Sequence, residues 1–270
     1  MSRIQNILEK AEREGSVRRI HPMPETVAAT ALMYDAPIPA RLDEPSPVAD
    51  EPAAARTVSG ARFDPNLVAA LASGSPTAEQ YRALRTRLTQ ADHGSAVDVV
   101  LLTSPGRGEG KSLTAANLAL TMGQDLQTRV CVVDANLRHP RLHGLFGVTE
   151  TPGLGDVLAG RAILADALVR FDEHPVVLLP AGHPPSHPAE LLGSTAMRRT
   201  IEILRTQFDR VIIDAPAAGP LADVGILAPL VDGVLLVVHA GVTTKPAIQE
   251  AVSTIPDDKF LGVVLNGGAA

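Results

Sequence analysis

Six short apolar runs punctuate the chain: Val97-Asp-Val-Val-Leu-Leu102, Arg129-Val-Cys-Val-Val-Asp134, Val176-Val-Leu-Leu179, Arg210-Val-Ile-Ile-Asp214, Gly233-Val-Leu-Leu-Val-Val238 and Phe260-Leu-Gly-Val-Val-Leu265. Their apolarity is continuous and does not alternate, as strands of a parallel sheet covered on both faces require. Helical stretches fit between them, beginning at Ser75-Pro-Thr-Ala-Glu79 and Lys111 and running from Ala189 to Phe208 and from Lys245 to Ile255. The pattern predicts an α/β fold, a doubly wound, mainly parallel sheet with helices on both faces and ligands at the carboxyl ends of the strands.

Before Arg62 the pattern is different. Ser2-Arg-Ile-Gln5 resembles a capping box, and Ile4, Ile7, Leu8 and Ala11 then share one side of a short helix that Gly15 would stop. From His21 to Gly60 come seven prolines with many alanines and carboxylates and no sustained period, which reads as a tether. The expected organisation is a short helix and tether over 1–60 and one folded domain over 61–270.

Composition narrows the classes. With 270 residues, 45% of them hydrophobic, the chain can bury one substantial core. A net charge of -6 argues against a partner bound through a nucleic-acid backbone. Cys131 is the only cysteine, so no disulfide forms within the chain, and the expected address is the cytoplasm. No apolar run approaches the ~18 residues of a membrane span, so any membrane contact is expected through a partner.

Chemistry concentrates where the first run opens into Thr103-Ser-Pro-Gly-Arg-Gly-Glu-Gly-Lys-Ser112 and then a helical segment. Gly106, Arg107, Gly108, Glu109, Gly110, Lys111, Ser112 and Leu113 form a candidate phosphate-binding loop. Glycines let successive N–H groups point inward, the helix N-terminus adds its positive end, Lys111 reaches the outer phosphates and Ser112 offers a hydroxyl to magnesium. The strict pattern wants glycine where Pro105 stands, with Gly106 one place later. A dinucleotide fingerprint fails, because Lys111 occupies the place of its third glycine.

Two runs end in aspartate, Asp134 and Asp214, at the edge that carries this loop. Carboxylates there can hold magnesium and orient or deprotonate a hydroxyl, although an aspartate can also cap a turn after a strand. Asp223 reads as the cap of the following helix. Glu79, Arg82 and Arg85 lie along one helical face, which by spacing alone is a solvated charged face. The pairs His139/His143 and His183/His187 sit among prolines, which argues against zinc.

Together these segments resemble the bacterial tyrosine kinases of capsule and exopolysaccharide synthesis, a branch of the deviant-Walker P-loop ATPases, over roughly Arg62 to the C-terminus. Gly108-Glu-Gly-Lys-Ser112 is similar to their Walker A loop, Val132-Val-Asp-Ala-Asn-Leu-Arg138 to Walker A′ and Val211-Ile-Ile-Asp-Ala-Pro216 to Walker B. The resemblance implies ATP and Mg2+ as cofactors, with Lys111 on the phosphates, Ser112, Asp134 and Asp214 at the metal, and Asp134, Lys111 and Arg138 at the chemistry. It places Asn266 against adenine and makes Glu79, Arg82 and Arg85 a contact between subunits of a homo-oligomer. It also implies a membrane-embedded chain-length regulator as partner, recruiting the protein to the inner face of the membrane. Two departures stand out: Asn136 replaces the second aspartate of Walker A′, and the tyrosine cluster of the family's C-terminus is not in this sequence. The alternative is therefore a nucleotide-dependent switch or scaffold for that regulator.

Overall fold

The computed structural model describes residues 56–90, 97–125, 128–219 and 222–267. The N-terminal helix, most of the tether and Tyr34 lie outside them. Within them the chain forms an eight-stranded sheet: β1 (Arg56–Val58), β2 (Val99–Thr103), β3 (Val130–Asp134), β4 (Val169–Phe171), β5 (Val176–Leu179), β6 (Arg210–Asp214), β7 (Gly233–His239) and β8 (Phe260–Asn266), in the order β1-β4-β5-β3-β6-β2-β7-β8. Every neighbouring pair is parallel except β4 with β5. All six apolar runs are strands, and the carboxyl ends of β2, β3 and β6 share one rim.

Alternate residues of the central strands feed two cores. Leu101, Val133 and Ile213 face one, closed mainly by α3 (Thr195–Gln207) and α4 (Lys245–Ser253); Leu102, Val132 and Ile212 face the other. The second core is closed by α2 (Lys111–Gly123), which lies under α1 (Pro76–Gln90). Because α2 is covered on nearly every side, its alanines, small polar residues and single Asn117 are what fits there. Asn117 donates to the Asn66 carbonyl and accepts from the Ala69 N–H, both at 3.0 Å, fixing the chain that precedes α1 onto α2.

Three details differ from the sequence pattern. Strand β1 begins at Arg56, ahead of the expected start near Arg62, and β4 is a second short strand the apolar runs did not announce. With three residues each, and only Val169 and Phe171 of β4 turned inward, neither makes a continuous run. The helical stretch from Ala189 to Phe208 is two helices, Pro188–Leu192 and α3, because Ser194 leaves the helical conformation and its hydroxyl accepts the Met197 N–H at 3.2 Å.

Candidate active site

The site begins where β2 runs out. Thr103 donates its hydroxyl to the Pro216 carbonyl at 2.7 Å, and the Ser104 hydroxyl donates to the Gly106 carbonyl at 2.6 Å, so the turn is tied to the loop after β6 and to itself. Gly108 and Gly110 then take φ of 81° and 89°, the left-handed region that side chains disfavour. At Gly110 a Cβ would also stand 1.9 Å from Asn266 Nδ2. Helix α2 starts at the next residue, and the N–H groups of its first turn have no partner within the helix.

Glu109 braces this loop. Its carboxylate accepts the Gly106 N–H at 2.8 Å through Oε1 and the His239 N–H at 3.3 Å through Oε2, while its carbonyl accepts from the Asn266 amide at 2.9 Å. The ends of β7 and β8 therefore hold the loop from the side. The tie to His239 has no local signal in the sequence, since the two residues meet only through the sheet. Asn266, expected at adenine, is placed at the loop and bonded to its backbone. Arg107 and Gly108 are exposed and Leu113 half-buried.

Lys111, Ser112, Asp134 and Asp214 come together. Parallel pairing of β3 and β6 sets Asp134 directly opposite Asp214, and both are fully buried. Lys111 Nζ lies 3.8 Å from Asp214 Oδ1 and 3.4 Å from the Ser112 hydroxyl. Neither Asp214 oxygen has a hydrogen-bond partner of good geometry. A buried carboxylate with neither oxygen in a hydrogen bond, next to a serine hydroxyl, suits a hard divalent cation, which takes oxygen ligands.

Asp134 is held differently. Its Oδ2 accepts the N–H groups of Arg141 and Leu142, each at 2.9 Å, and its Oδ1 accepts only that of Asn136 at 3.2 Å. Burial raises both carboxyl pKa values above the ordinary range. The charge of Asp214 raises that of Asp134 further, against the pull of those three N–H groups, while Lys111 and then Ser112 pull that of Asp214 down. Two carboxylates set side by side in a buried site disfavour each other's charge, which a cation would relieve.

The remaining candidate residues have partners of their own. Arg138 is committed to Asp223, Nε to Oδ2 at 2.7 Å and Nη2 to Oδ1 at 3.2 Å; Asp223, read as a helix cap, is instead the first residue of the helix Asp223–Leu227 and spends its carboxylate on Arg138. Asn136 donates to the His139 carbonyl at 2.8 Å and accepts its N–H at 3.3 Å. On α1, Arg82 pairs with Glu79 and donates to the Ser73 carbonyl, and Arg85 donates to the Thr121 carbonyl at 2.9 Å. That charged face is thus partly spent on its own chain, with Glu79 left mostly exposed. Tyr81 packs on α2; burial raises its phenol pKa, with Thr114 and Asn117 pulling the other way. His183 is tied to Asp156 through Nδ1 at 2.9 Å.

No family model matches the chain. It is 36% identical over 217 residues to the tyrosine-protein kinase YwqD of Bacillus subtilis, covering 79% of this chain and 91% of that one. It is 34% identical over 197 residues to the succinoglycan biosynthesis transport protein ExoP of Rhizobium meliloti, covering 71% of this chain and 25% of that one. The kinase domain of the Escherichia coli tyrosine kinase ETK superposes with a TM-score of 0.73 at 27% identity, covering 77% of this chain and 82% of that one. A phosphate loop on a parallel sheet, two facing strand-end aspartates and a match along nearly all of YwqD lead to one conclusion: the chain belongs to the bacterial tyrosine-protein kinases.

Proposed function

We propose that this protein transfers the γ-phosphoryl group of ATP to a protein tyrosine, in the service of capsule or exopolysaccharide synthesis or export. The observation that carries the reading is the unengaged, buried Asp214 carboxylate beside Lys111 and Ser112 at the end of a phosphate loop. The loop amides and the first turn of α2 receive the phosphates, and Lys111 neutralises the outer charge. Bound Mg2+, held by Ser112 and Asp214 with Asp134 beside them, would supply charge neutralisation on the transferring group. Asp134 orients the acceptor: Oδ2 is fixed by two N–H groups, whereas Oδ1 accepts one N–H at 3.2 Å and keeps a lone pair for a phenol. The phenolic oxygen attacks the γ-phosphorus, the bond to the β–γ bridging oxygen breaks, ADP leaves, and the proton passes to Asp134. Its raised pKa makes it a stronger base than an ordinary carboxylate.

Polysaccharide function is supported by the likeness to ExoP, and with it a membrane-embedded chain-length regulator as the partner that brings the protein to the membrane. Glu79, Arg82 and Arg85 are proposed to join subunits through the exposed Glu79 end of α1. One observation favours a second reading, a nucleotide-dependent switch with slow transfer: Asn136 stands beside the metal carboxylates uncharged and bonded to His139.

The test is Lys111→Met in the full chain. A charge-assisted contact contributes about 3 kcal/mol, so ATP affinity should fall about 100-fold; unchanged affinity would refute the loop assignment. Label from γ-labelled ATP appearing on tyrosine, in the presence of the regulator's intracellular segment, supports transfer. ATP bound with only slow phosphate release supports the switch.

A further inference from the structure

We propose that the Arg138–Asp223 ion pair is a strap that fixes the loop after Asp134 against the helix Asp223–Leu227 beyond β6, so that the Asp134 carboxylate is held in the orientation in which it addresses one cation with Asp214. Arg138 is then a positioning residue and not a contact to the acceptor. The inference rests on the reading of Asp134 and Asp214 as a metal pair. Three features lead to it.

First, Asp223 is fully buried, and its two oxygens take the two-pronged Arg138 fork at 2.7 and 3.2 Å. Glu190, on the helix Pro188–Leu192, adds a favourable charge near Arg138 and raises its pKa further, after Asp223 itself. The Arg138 charge is thus already answered within the chain and has little left to draw in an acidic acceptor. Second, the loop leaving β6 is anchored at its other end. The Pro216 carbonyl accepts from Thr103, and the Ala218 N–H donates to the Ser104 carbonyl at 2.7 Å, so the start of that loop is tied to the base of the phosphate loop. Third, the loop leaving β3 is closed on itself. Asn136 clasps His139 on either side of Arg138, and the N–H groups of Arg141 and Leu142 hold Asp134 Oδ2. A shift of Arg138 therefore shifts the donors that fix Asp134.

A buried ion pair adds little net stability over an apolar pair, because desolvation offsets attraction; its best-attested use is to fix one arrangement among several. Here the fixed quantity is the orientation of the Asp134 carboxylate, through the Arg141 and Leu142 N–H groups, since strand pairing already sets its distance from Asp214. An arginine fork sets both distance and plane, which lysine cannot do.

The test uses the full chain and a fluorescent methylanthraniloyl ATP. Its affinity is measured in EDTA, and the Mg2+ concentration that gives half of the metal-induced gain is then titrated. Residues that orient metal ligands usually shift metal affinity 10- to 100-fold, so Asp223→Asn and Arg138→Gln should each raise that Mg2+ concentration about 10-fold. Affinity in EDTA should stay as in the wild type, the double variant should be no worse than either single one, and Arg138→Lys should recover part of the loss. Arg138→Lys keeps the charge and supplies the same comparison should Asp223→Asn fail to fold. Unchanged Mg2+ dependence in both single variants overturns the strap. So does a loss of tyrosine labelling in Arg138→Gln alone, with Asp223→Asn behaving as wild type, since Arg138 would then touch the acceptor. A wild-type protein whose nucleotide affinity ignores Mg2+ would instead sink the metal-pair reading, and the strap with it.

Discussion

Asp134 and Asp214 show how two like residues become different through their surroundings. One is saturated on Oδ2 by main-chain N–H groups, while the other has Lys111 and Ser112 beside it. Both have folded-state pKa values above those of the unfolded chain. The folded state therefore binds more protons, and the contribution of this pair to stability is greatest at acid pH and declines as pH rises above the usual carboxylate range. In EDTA, melting temperature at neutral pH should respond to this decline. Asp214→Asn removes one of the repelling charges and should flatten the dependence, as a series of melts from about pH 4 to pH 8 would show; an equal slope in both proteins refutes the coupling. Since a metal bound by carboxylates displaces their protons, stabilisation by Mg2+ with ATP should grow over the same rise in pH.

At the scale of elements, the strand, loop and helix from Val99 to Gly123 form one device whose turn depends on Gly110. Gly110→Ala meets two obstacles, the left-handed φ of 89° and the Asn266 amide. Holding a side chain in such a conformation costs of order 1–3 kcal/mol. Adding Asn266→Ala should remove the clash but not the strain, so chemical denaturation should show partial recovery; full recovery would mean that the backbone conformation carries no cost. On the opposite face, Ser194 separates two helices that the sequence presents as one. Ser194→Ala should cost about 1 kcal/mol in the same measurement, the usual value of an N-cap, and should leave nucleotide affinity unchanged.

For the whole molecule, the proposed assembly would connect the site on one rim to other copies. Helix α1 lies on α2, and Arg85 holds the Thr121 carbonyl near the end of the phosphate-loop helix. An assembly built through the Glu79 end of α1 would thus rest directly on that helix. Glu79→Lys, on an exposed side chain, should lower the sedimentation coefficient while ATP affinity stays within about twofold, the scale expected for a surface change remote from the ligand. An assembly of unaltered size would refute the proposed contact.

The strand pattern, the phosphate loop and both strand-end aspartates were legible in the sequence, because each follows from local rules: continuous apolarity for buried parallel strands, glycine at turns that need a positive φ, and the expectation that a doubly wound sheet gathers its chemistry at the carboxyl ends of its strands. The partners of those residues were not. Glu109 meets His239, Arg138 meets Asp223, and Asp134 takes the N–H groups of Arg141 and Leu142. The first two joins span residues far apart in the chain, and the third depends on how a loop turns back. Short strands such as β1 and β4 were missed for a related reason: three residues carry too little pattern to announce themselves, and pairing alone makes them strands. The sequence by itself determined which chemical groups stand at the rim and in what order. Only the tertiary structure decided which of them are engaged and which remain open, because burial, register and long-range hydrogen bonds exist only once the sheet has closed.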